Sequence, residues 1–195
     1  MFAFALALGS FLAPARPVLA DDRPDATDGG LVPTARRVII PGPEIGLSRE
    51  LPIPLGATCS CTIDRVGVIS QFDITILQVV PDAYPMILQL SRFNAPPSPG
   101  QRYVGVYVGQ QYIAGPENQA YSVTDSDWKA TSRLERLRDV QQLFHVDREY
   151  RPRADAYPGN YINGWLFFEL PLNQPSYMVW NYNFVGERGI WFALQ

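Results

Sequence analysis

In QRYVGVYVGQ, residues 101–110, Val104, Val106 and Val108 fall at every second position. That period belongs to a strand with one buried face, because successive side chains leave an extended chain on opposite sides. Just before it, Ser98, Pro99, Gly100 and Gln101 suit a type II turn, with proline fixing the second position and glycine accepting positive φ at the third. The turn therefore ends one element and sets the register of the next, since a slip of one residue would send the valines to water. FDITILQVV repeats the alternation, with Phe72, Ile74 and Ile76 on one side and Asp73 and Thr75 on the other. Further strands are predicted at 121–124, 160–171, 177–182 and 189–194, separated by Pro, Gly and Asn. Helical spacing is confined to Tyr84–Leu90 and to Ser132–Phe144, where Ser132 and Glu135 have capping-box spacing and Leu134 and Leu137 lie one turn apart. Many short strands with little helix predict an all-β fold, a two-sheet antiparallel sandwich.

The N-terminal third breaks this pattern. Phe2 to Leu12 is an apolar run, interrupted by Pro14 and Pro17 and followed by Val18-Leu19-Ala20. It has the form of a secretory signal peptide over residues 1–20, too short to span a bilayer as a stable anchor. Nothing basic precedes Phe2. From Asp21 to Pro54, repeated Pro and Gly oppose helix and predict an extended tether, dispensable for folding up to about residue 50. Its apolar cluster Val38-Ile39-Ile40 could dock as an edge strand, limited by Pro41. The sandwich domain is then expected at 55–195.

Composition changes this picture little. The 195 residues, 47% of them apolar, suffice for one domain with a real core. With 16 basic against 19 acidic side chains the net charge is −3, which argues against a nucleic-acid partner. No later stretch is long and apolar enough for a transmembrane anchor after signal cleavage.

Three stretches, FNAPPSPGQRYVGVYV, YPGNYINGWLFFELP and RGIWFAL, resemble the secreted, telokin-like immunoglobulin-like domains of bacterial envelope proteins, a class that includes a mycobacterial secreted antigen. The resemblance covers roughly residues 50–195 and implies an immunoglobulin-like antiparallel β-sandwich exported from the cell, secreted or associated with the envelope. It carries over no catalytic residue and no cofactor. The family's lipid-bearing members have a cysteine at the cleavage site, and none stands there in this chain.

Candidate chemistry is sparse. His145, Asp147 and Glu149 would share one face of an extended HVDRE segment, as a metal or acid–base site would require. A solvated mixed-charge connection explains them as well, with Arg148, Arg151 and Arg153 nearby. Thr124-Asp125-Ser126-Asp127 offers two carboxylates to calcium but lacks the ligand spacing and glycine of an EF-hand, so a polar turn accounts for it. Cys59 and Cys61 are the only cysteines. On a strand their Cα atoms would lie roughly 6.5–7 Å apart on one face, near the limit for a disulfide. An intrachain bond is placed first; two reduced thiols, pairing with another chain and a soft-metal site remain open. No serine sits in a nucleophile elbow, and an enzyme is not expected.

The aromatic residues are more informative. On the side opposite the valines stand Tyr103 and Tyr107, and in the later strand Tyr161, Trp165 and Phe167. Large rings on an outward face suit a platform for a protein partner or for sugar rings. Alternatively, the tether or the 132–158 stretch covers them. The expected function is a non-enzymatic interaction or adhesion domain at the bacterial envelope, with a small-ligand or carbohydrate-binding module as the alternative.

Overall fold

The valine alternation forms an interior strand of a five-stranded sheet. Its strands are β1 (Val38–Ile39), β2 (Thr58–Arg65), β3 (Val68–Val80), β4 (Gln101–Ala114) and β9 (Tyr161–Pro171), in the order β1-β2-β3-β4-β9. The second sheet has the order β11-β10-β6-β7, from β6 (Trp128–Ser132), β7 (Arg138–Asp139), β10 (Ser176–Trp180) and β11 (Ile190–Ala193). A short ribbon joins β5 (Tyr121–Val123) to β8 (Ala154–Ala156), and one helix, α1 (Tyr84–Leu90), precedes β4. In this computed structural model the described residues are 38–39, 45–65, 67–133, 135–144, 146, 151–180 and 189–195, all within the unit Ala35–Gln195. The signal-peptide segment and most of the tether lie outside them.

The chain is an all-β sandwich. Phe72, Ile74 and Ile76 on β3 and Val104, Val106 and Val108 on β4 meet Trp128, Met178, Trp180 and Phe192 of the facing sheet in one apolar core. Phe72 is its hub, stacked on Tyr112 at 4.6 Å and edge-on to Tyr121 and Trp180 at 4.8 and 5.4 Å. Burying a side chain of this size contributes about 1.5–3 kcal/mol, so the period-two pattern is the main determinant of which face turns inward.

The turn before β4 closes as its residues require, with Gln101 N–H donating to Ser98 O at 2.9 Å and Gly100 at φ 79°. Helix α1 covers the predicted span, with proline in its first turn and Ile87 buried. Among the described residues of Ser132–Phe144 there is no helix. Ser132 ends β6, and the Thr131 hydroxyl donates to the carbonyls of Glu135 and Arg136, holding these two residues back against the end of that strand. A buried strand end outweighs the local capping-box spacing.

The end of the expected tether is part of the sheet edge. Val38–Ile39 pairs with β2 in parallel, as an edge strand stopped short of Pro41. Ile53, wholly buried, donates to Trp191 O at 2.7 Å and accepts from Ala193 N–H at 2.9 Å, while Gly46 O accepts from Trp191 N–H. Pro52 and Pro54 lack donors, which an edge position tolerates. Ile53 between them keeps both backbone groups for β11.

Candidate binding face

The antiparallel register of β4 and β9 sets Tyr107 against Trp165, Gly105 against Phe167 and Tyr103 against Glu169. These residues occupy the outer side of the five-stranded sheet, as the alternation requires. That side is not uniformly open. The start of α1 lies on Gly105, where an added Cβ would stand 3.1 Å from Ala83 Cβ and 3.2 Å from Phe167 Cε1. A side chain there would make the helix start or the Phe167 ring give way by a few tenths of an ångström, so glycine eases this close approach. Tyr103 and Phe167 are thereby buried, at 6% and 1% exposure, in a second apolar cluster with Ala83, Ile87 and Val146. These two are core residues, in correction of their expected role as surface contacts, because α1, Leu143 and Val146 cover one end of the face. Burial first, then the Glu169 carboxylate, push the Tyr103 hydroxyl above its ordinary pKa.

The rest of the face remains accessible. Tyr107 and Trp165 are half-buried, with ring centroids 5.1 Å apart. Trp165 lies nearly parallel to Phe167 at 6.1 Å, so a ladder of rings runs from the covered end to the open one. Tyr161 is 51% exposed and lays its hydroxyl across Gly109, which has no side chain to obstruct it. Exposed Gln78 and Asn163 flank the rings on β3 and β9, and Gln111 donates to Gly159 O at 2.9 Å. The arrangement offers flat apolar area bordered by amides.

The remaining candidates divide clearly. Asp125 lies in a short 3-10 turn capped by Thr124 and is almost fully buried. Arg151 donates to its Oδ2 at 2.6 Å, and Arg153 donates twice to its Oδ1 at 2.8 and 2.5 Å. Both carboxylate oxygens are therefore engaged by guanidinium groups, and the polar turn, not a calcium loop, describes this segment. His145, Asp147 and Glu149 lie outside the described residues. Cys59 and Cys61 are free thiols buried on the core side of β2, in correction of the expected disulfide. Alternate residues on a strand point the same way but stand apart by two residue rises. The contact with Cys59, and then burial, raise the Cys61 thiol well above its ordinary pKa.

Two concavities went unread in the sequence. A cleft of about 410 Å³ is bordered by Ser122, Thr124, Ser126, Arg153 and Asp155, beside the Asp125 ion pairs. A groove of about 340 Å³ runs between Leu47, Arg49 and Glu50 and the side chains of Glu135, Leu137 and Trp191. Each joins segments far apart in the chain, so no local spacing signals it.

No protein-family model matches this chain, and no curated protein does. Solved structures similar to it include a secreted protein of Mycobacterium tuberculosis, MPT63, at 17% identity over 73% of this chain and 97% of that one, with a TM-score of 0.43. A candidate lipoprotein of Bacillus subtilis, YcdA, is 13% identical with a TM-score of 0.44, and the match spans 62% of this chain but only 35% of that one. A candidate lipoprotein of Staphylococcus aureus is 9% identical over 69% of this chain and 93% of that one, with a TM-score of 0.40. Among the described residues no helix is long and apolar enough to cross a membrane.

Proposed function

We propose that this chain is an exported, non-enzymatic immunoglobulin-like domain that mediates interaction or adhesion at the bacterial envelope, through the open part of the β4–β9 face. The observation that supports this reading is the half-buried Tyr107–Trp165 pair, anchored on buried Phe167 and continued by exposed Tyr161. Rigid rings on a sheet expose apolar area at little further entropy cost, the property that enriches Tyr and Trp in interfaces. Export rests on the N-terminal apolar run and its Val-Leu-Ala ending.

A carbohydrate-binding role is the second reading, favoured by the exposed amides of Gln78 and Asn163 beside the rings. The test is binding of the purified protein to intact bacterial cells and to a glycan array, for wild type, Tyr107→Ala and Trp165→Ala, with folding checked by near-UV circular dichroism. An interface ring contributes about 2 kcal/mol or more, so each folded variant should bind cells at least tenfold more weakly. Undiminished binding by both variants would remove this face from the proposal. Saturable binding to a defined glycan, lost on Asn163→Ala, would favour the second reading.

A further inference from the structure

Among the described residues the two most exposed phenylalanines, Phe93 and Phe144, are linked through the side chain of Asn94. Phe93, just past α1, is 67% exposed, and Phe144 is 64% exposed. Between them Asn94 is buried, and its amide group is fully committed. Its Nδ2 donates to Ile87 O at 3.1 Å and to Phe144 O at 3.2 Å, and its Oδ1 accepts from Phe144 N–H at 2.7 Å. This two-way clamp ties the 144 backbone to the residue that follows Phe93, and Leu88 on α1 is exposed as well. Rings two-thirds exposed stand proud of the surface and do not line a groove.

The stretch that carries Phe93 is one-signed in charge. Between Ala83 and Pro116 the sequence contains no acidic residue, although the whole chain is net acidic, and it carries Arg92 and Arg102. The Arg92 guanidinium stands 5.2 Å over the Phe93 ring. Glu169, which reaches this stretch, accepts the Ser98 N–H at 2.5 Å. We infer that this protruding edge docks onto an anionic lipid surface, Phe93 and Phe144 entering the interface and Arg92 pairing with headgroup phosphate. Protruding aromatic side chains beside a cation are the chemistry of interfacial attachment, where apolar burial and attraction to anionic lipid add.

The experiment is flotation of the full chain with vesicles of phosphatidylcholine alone and of phosphatidylcholine mixed with phosphatidylglycerol. The N-terminal apolar run is kept in every protein, so differences report on the patch. Wild type should partition at least severalfold better onto the anionic vesicles. Phe93→Ser with Phe144→Ser should weaken that partition by roughly tenfold or more, the equivalent of lost ring burial. Arg92→Glu, at an exposed position, should abolish the preference for anionic lipid while leaving the thermal melt unchanged. If the double variant fails to fold, Arg92→Glu still decides. Equal partition onto both vesicle types, no partition at all, or an anionic preference unchanged by Arg92→Glu would overturn the proposal.

Discussion

At the residue scale, one row of aromatic side chains serves two purposes. Tyr103 and Phe167 are buried beneath α1, and Tyr107 and Trp165 continue the same row into solvent. Phe167→Ala should therefore cost about 3–5 kcal/mol, the range for truncating a buried aromatic. The half-buried Tyr107→Ala should cost clearly less, and urea melts of the two variants would show the difference. The cysteines give a second test. A thiol whose pKa is raised by folding favours the folded state below the ordinary thiol range and loses that contribution as pH climbs through the raised value. Stability should fall in alkaline solution, and the fall should be smaller in Cys61→Ala. Both thiols should resist alkylation in the native protein and react on unfolding without reductant, as mass spectrometry would record.

At the scale of elements, the 3-10 turn after β5 and the residues just before β8 are joined by ionic contacts. Arg151 is 7% exposed and Asp125 3%, whereas Arg153 is 42% exposed. Removing the shared carboxylate leaves a buried guanidinium uncompensated, a change that costs about 3–5 kcal/mol. Asp125→Ala should be destabilised by about that amount, while Arg153→Ala, losing a largely solvated partner, should lose about 1 kcal/mol or less. Equal losses in a chemical-denaturation series would show that Arg151 alone does not carry the buried contact. Gly164 belongs to the same region, because a Cβ there would run into the Arg151–Pro152 backbone. The ion pairs and this close approach together bring the 151–153 stretch against β9.

At the scale of the whole molecule, the N-terminal segment closes the second sheet. Ile53 fills the core and bridges to Phe192. A chain beginning at Ile45 should keep most of its stability, whereas one beginning at Leu55 should lose about 2–5 kcal/mol, the cost of vacating a buried Ile site. The thermal midpoint should drop correspondingly, by a few degrees for each kcal/mol. Equal midpoints for the two truncations would mean that Ile53 contributes no net stability.

Sequence by itself determined the long strands β3, β4 and β9 and their inward faces, because a period of two is a local property and burial of Val104, Val106 and Val108 follows from it. It determined the turn at Gly100 and the extent of α1 for the same reason, since φ preferences and proline placement act within a few residues. What lies over an outer face is not local. Nothing near Phe167 reports that Ala83 and Val146 will cover it, nothing near Ile53 reports its pairing with β11, and nothing near Asp125 reports two arginines from beyond residue 150. Those contacts join segments tens of residues apart, and their energy depends on how two sheets, a helix and a loop come to rest together. Tertiary structure alone therefore decided which rings are core and which stay open to a partner.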